Sequence, residues 1–138
     1  MRLVLDTNTV VSGLLWTGPP SQLIQAGLDK HVELFTSPAL VLELEDVLPR
    51  RRFALRVAAS GLSVAQLVAR YAILAQSVVP ATLVRIAADP DDDHVLACGL
   101  AAQADYIVSG DTALLNLRVY QTIPIVNAAH ALTRLPQR

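Results

Sequence analysis

The sequence predicts an α/β domain of three layers, α/β/α, built on a central parallel β-sheet. Short apolar runs rich in β-branched residues alternate with longer segments of helical spacing, the pattern of βαβ units. Two of the apolar runs close alike: Leu3-Val4-Leu5 ends in Asp6, and Ile107-Val108-Ser109-Gly110 ends in Asp111. Hydrophobic residues make up 53% of the 138 residues and charged residues 17%, which excludes disorder and supplies one sizeable core. The length suits a single domain spanning residues 1–138 and is too short for two ordinary ones.

Taken in order, Leu3-Val4-Leu5 reads as a strand and Val10 to Trp16 as the helix after it. Pro20 to Asp29 reads as a second helix with Leu23, Ile24 and Leu28 on its apolar face, and Val32 to Phe35 as the next strand. Ser37-Pro38 is a helix start, an N-cap residue followed by proline at the first helical position. That helix runs to about Leu48, where Pro49 stops it. An arginine-rich helix and a helix over Ser63 to Gln76 follow, joined at Gly61. Asp91 opens a helix reaching about Ala104, and Gly99 weakens it locally by up to about 1 kcal/mol. Tyr106-Ile107-Val108 reads as a central strand, and Asp111 to Leu117 as a short helix. Ile123 to Val126 reads as an edge strand, because Pro124 has no N–H to give a ladder. A last helix covers Ala128 to Leu135.

Composition narrows the function. The longest uncharged stretch, Thr7 to Leu28, contains Gly18-Pro19-Pro20 and does not suit a membrane span. Asp6 interrupts the N-terminal apolar run, so no signal peptide is expected there. A single cysteine, Cys98, gives neither a disulfide framework nor a thiolate zinc site, and the expected compartment is the reducing cytoplasm. The apolar excess points to a homo-oligomer interface, with the helices around Leu14, Leu23 and Leu67 as its surface. A net charge of −1 does not advertise a nucleic-acid binder. The distribution says more: ten of the eleven basic residues are arginines, and Arg50, Arg51, Arg52 and Arg56 cluster. Arginine is the better bidentate partner for phosphate, although such a cluster also serves as a solvated helix face.

The acidic residues carry the chemistry. Ligands of open parallel sheets bind beyond the carboxyl ends of the strands, where the strand order switches, and Asp6 and Asp111 are placed to face each other there. Each taken alone also suits a turn or an N-cap. Glu43 stands three residues after Leu40 and four before Val47, so it leans into the buried stripe of its helix, or snorkels from its edge. In "DPDDDH" the residues Asp89, Asp91, Asp92 and Asp93 crowd into five positions. The helix dipole accounts for one or two acids in a first turn. Four mutually repelling carboxylates point to a cation as well. An all-carboxylate set suits hard Mg2+ or Mn2+, which activate water and neutralise charge in phosphate chemistry.

Assembled, "LDTNTVVSGLLW", "TSPALVLELEDVL" and "DPDDDHVLACGLAAQADYIVSGDTALL" resemble the PIN-domain family of metal-dependent ribonucleases, in particular the VapC-like bacterial toxins of toxin–antitoxin pairs. The resemblance runs from Leu3 to Leu135. It implies catalytic and metal-ligating roles for Asp6, Glu43, Asp92 and Asp111, with Asp93 as the competing third ligand. It makes Asn8, Ser109 and Thr112 candidate holders of water or substrate, beside the arginines Arg50, Arg51 and Arg52. It further implies Mg2+ or Mn2+, single-stranded RNA as substrate, a homodimer and an inhibiting antitoxin. A haloacid-dehalogenase-type phosphatase would need a second aspartate where Asn8 stands and a late lysine, but the one lysine is Lys30. A PIN fold that only pairs with a partner is the non-catalytic rival. Clustered carboxylates without a task only destabilise, which argues against it. His31, His94 and His130 read as surface or helix-end residues, with His94 near enough to the acidic run to touch substrate.

Overall fold

The computed structural model describes residues 1–81 and 90–136, and the side chains among them except those of 90 and 91. Asp89 and the side chain of Asp91 therefore lie outside the described residues. In chain order the elements are β1 (Arg2–Leu5), α1 (Thr7–Leu15), α2 (Pro19–Leu28), β2 (Glu33–Thr36), α3 (Pro38–Val47) and a 3-10 turn (Arg51–Phe53). After these come α4 (Ala54–Ala59), α5 (Val64–Leu74), β3 (Gln76–Ser77), α6 (Pro90–Ala102) and β4 (Tyr106–Val108). The chain closes with α7 (Thr112–Leu117), β5 (Val119–Tyr120), β6 (Ile123–Val126) and α8 (Ala128–Thr133).

The strands form one sheet in the order β3-β2-β1-β4-β6-β5, parallel throughout except for the β5–β6 pair. Strand alternation sends successive side chains to opposite faces, and two cores result. Leu3, Leu5, Leu34, Val108 and Val126 pack against α1, α2, α5 and α8. Val4, Phe35, Ile107 and Ile125 pack against α6 and α7. This is the expected three-layer arrangement. Among the described residues no single helix is long and apolar enough to cross a membrane.

Local chemistry sets the helix boundaries. Ser37 caps α3 by accepting from the Leu40 N–H, and Ser63 and Gln66 close a reciprocal capping box on α5. Gly61 adopts a φ of +73° at the joint between α4 and α5, a conformation that favours glycine. Gly99 has a packing reason: a Cβ there would stand 2.6 Å from Ile107 Cδ1 and 2.9 Å from Cγ1. Gly99→Ala is therefore expected to destabilise the protein by about 1–2 kcal/mol. The overpacking cost of about 1–3 kcal/mol outweighs the helix-propensity gain of up to about 1. Urea denaturation checks this.

Two expectations need correction. Ile123–Val126 is an inner strand, since β5 pairs with it antiparallel and forms the edge. Pro124 stands opposite Val119 at a non-hydrogen-bonded pair, so β5 asks no N–H of it, while the Ile125 N–H donates to the Arg118 carbonyl at 2.8 Å. Second, α1 begins at Thr7 rather than Val10, because Asp6 caps it directly. On the helices expected to meet a second copy, Leu23 and Leu67 themselves pack in the monomer's core, while Leu28 and Ile73 face outward.

Candidate functional site

The strand order reverses between β1 and β4. Their carboxyl ends lie side by side, Leu5 in register with Val108. Just beyond them the chain turns twice, and an aspartate caps the helix at each turn. Asp6 accepts from the Thr9 N–H at 2.8 Å at the start of α1. Asp111 accepts from the Ala113 N–H at 3.4 Å at the start of α7. Capping and a place at the switch point thus coincide in both residues.

Ser109 ties the two turns together. Its hydroxyl donates to Asp6 Oδ2 at 2.5 Å and accepts from the Asp111 N–H at 2.9 Å. The backbone adds to the tie: the Asp6 N–H donates to Val108 O, and the Ser109 N–H to Val126 O, each at 2.9 Å. Ser109 is completely buried, and its hydroxyl spans the two acids rather than opening to solvent. The signal in the sequence is the alternation that follows Ile107 and Val108, which sets Ser109 beneath the turn and lets Asp111 emerge.

A cavity of about 530 Å3 opens above these turns. Asp6, Glu43, Asp92 and Asp111 all line it, contributed by the end of β1, by α3, by α6 and by the turn after β4. Glu43 reaches it because Leu40, Leu44 and Val47 bury the neighbouring stripe of α3. Asn8, Arg50 and Arg52 are also in the wall. Thr112 and Arg51 are exposed outside it. Asp93 is 2% exposed and is not in the wall, which favours Asp92 as the acid facing the cavity. His94 borders a different hollow, with Ser37, Pro38 and Ala97. Sequence reasoning passed over Thr9 and Ser12, which also line the cavity and lie on the same face of α1 as Asn8 and Asp6.

Burial dominates the electrostatics of the site. Asp6, at 5% exposure, has its carboxyl pushed above the ordinary carboxylate range. Burial is the main cause, repulsion from Asp111 adds a little, and the hydrogen bonds from Ser109 and Thr9 oppose both. Like-charge repulsion was the expected cause and proves the smallest one, behind burial. Burial also pushes the Cys98 thiol up to about 12, so it is an inert core residue at neutral pH.

Among the described residues no three acids, histidines or cysteines close on a single point as a preformed ion cage. Asp6 and Asp111 each commit one oxygen to a helix cap. The donor set still fits a hard divalent cation: four carboxylates share one cavity, and no thiolate or imidazole is in its wall. Asp92→Asn is expected to lower any metal-dependent activity at least tenfold more than Asp93→Asn, while Asp93→Asn acts chiefly on thermal stability; paired kcat and Tm measurements check this.

The family model of the PIN domain matches residues 2–113, a span that contains all four cavity acids. No curated protein matches the chain.

Proposed function

The chain belongs to the PIN-domain family, and on that premise we propose that it is an endoribonuclease dependent on Mg2+ or Mn2+, the toxin of a toxin–antitoxin pair. PIN domains are generally nucleases, and such nucleases generally use divalent metals. One observation carries the reading: Asp6, Glu43, Asp92 and Asp111, from four separate elements, line one cavity at the switch point of the sheet.

Asp6, Asp92, Asp111 and Glu43 would hold the ion. When bound, it supplies an activated water and neutralises charge on the phosphate under attack. The chain's own groups do the rest. Ser109 and the α1 N-terminus fix Asp6 so that its position does not depend on substrate. Asn8 presents an exposed amide in the wall, suited to a ribose hydroxyl or a phosphate oxygen. Arg50 and Arg52 set positive charge in the same wall and offset the repulsion between RNA and the acids. The Arg50–Asp46 ion pair at 3.2 Å is exposed and contributes at most about 1 kcal/mol, so it does not immobilise Arg50 against a phosphate.

The partners proposed with this activity are RNA as substrate, an inhibiting antitoxin and a second copy of the chain. Leu28 and Ile73, each more than half exposed and bordering one hollow, support a protein-facing surface. The lone buried cysteine is in keeping with the cytoplasm.

Gel analysis of RNA incubated with the purified chain tests the function. Fragments are expected with Mn2+, none after EDTA, and recovery when Mn2+ is restored. RNA that stays intact with Mn2+ present would favour the non-catalytic pairing module instead.

A further inference from the structure

Beyond the acidic cavity, on the side of Ser12, two aromatic rings and two guanidinium groups form a cluster. Trp16 follows Ser12 by one helical turn, and its backbone N–H donates to the Ser12 carbonyl at 2.9 Å. Ser12 is in the cavity wall, and so is Arg52. The Trp16 and Phe53 rings meet edge to face with centroids 6.1 Å apart. Arg52 lies 4.7 Å from the Phe53 centroid and Arg56 lies 5.1 Å from that of Trp16. Trp16 remains 36% exposed, and both arginines are exposed.

A core aromatic would be covered, and a phosphate-binding arginine needs no ring beneath it. Rings layered with guanidinium planes, half open to water and continuous with a cavity, are the chemistry that holds unpaired bases. Every base has a π-face, and arginine stacks on bases as well as on rings. We infer that Trp16, with Arg52, Phe53 and Arg56, is a stacking platform for an unpaired nucleotide of RNA adjoining the nucleotide whose phosphate enters the acidic cavity. The inference rests on the nuclease reading and adds what it lacks, a reason for this chain to prefer single strands. A duplex keeps its bases stacked on one another and offers the platform only backbone.

Trp16 is the sole tryptophan, so its fluorescence reports on the platform directly. The probe is a short unstructured RNA oligonucleotide added to Asp6→Asn protein, with the same length of RNA as a duplex and as an abasic strand for comparison. The single strand is expected to quench Trp16, and the duplex and abasic strand to quench it far less. In the wild-type background, Trp16→Leu is expected to raise KM for single-stranded RNA about tenfold with kcat little changed. Trp16→Phe, which keeps a ring, recovers most of that loss. Equal quenching by the three probes would overturn the platform. So would a Trp16→Leu variant that melts earlier but keeps its KM, since the cluster would then only fasten α4 to α1. Neither result touches the nuclease reading, which is judged by whether wild-type protein with Mn2+ cuts the same RNA.

Discussion

Asp6→Asn is expected to yield a folded protein, more heat-stable than the wild type without metal, whose RNA cleavage falls by about a thousandfold or more. Asparagine still accepts from the Thr9 N–H, so the cap of α1 survives at little cost. The charge that fixes and neutralises a cation is lost. Metal-ion stabilisation of a transition state is worth several kcal/mol, and each 1.36 kcal/mol is a factor of about ten in rate. The stability gain has a pH signature. Asp6 binds its proton more tightly folded than unfolded, so folded wild-type protein loses stability as pH rises from the ordinary value of 3.8 through the raised one. Above both values the loss is complete, and below both it is absent. In EDTA the variant should therefore melt above wild type at pH 7, by about 4 °C per kcal/mol regained, and the two should converge in strong acid. Melting curves across pH check it.

Ser109→Ala is expected to cost both stability and activity although Ser109 never meets solvent. Its hydroxyl donates to a buried carboxylate, a bond worth about 1.5–3 kcal/mol, and its loss also strips the Asp111 N–H of its acceptor. Partners that orient metal ligands typically contribute about ten- to a hundredfold to metal affinity or activity. A simple loss of packing would leave the pH dependence alone. Here Ser109 holds the Asp6 pKa down, so its removal should move the acidic limb of the pH–rate profile to higher pH. A profile that keeps its limb while the rate drops would assign Ser109 a purely structural role.

The main elements and the cavity acids were legible for a shared reason: both follow from periodicity. Strand runs that end in Asp6 and Asp111 place these residues at the carboxyl edge, and helical spacing turns Glu43 toward it. What periodicity does not reach was missed. β3 and β5 have two residues each and exist only because a neighbouring ladder accepts them. Thr7 and Thr9 favour strand by propensity, yet they open α1 because the Asp6 cap outweighs a few tenths of a kcal/mol. Ser109, Asp111 and Thr112 are neighbours in the chain with three different fates, one buried, one in the cavity wall and one outside it. Only the turn between strand and helix decides among them. Leu23 and Leu67 show that a high apolar fraction does not say which leucines the monomer's own core takes.

On the proposed function, the four cavity acids act as one metal centre. Anomalous scattering from crystals grown with Mn2+ tests it most directly. A peak is expected inside the cavity within about 2.0–2.6 Å of a carboxylate oxygen of Asp6 and of at least one of Asp92, Asp111 and Glu43, absent from Asp6→Asn crystals. A well-occupied peak elsewhere on the protein, with none between these carboxylates, would contradict it.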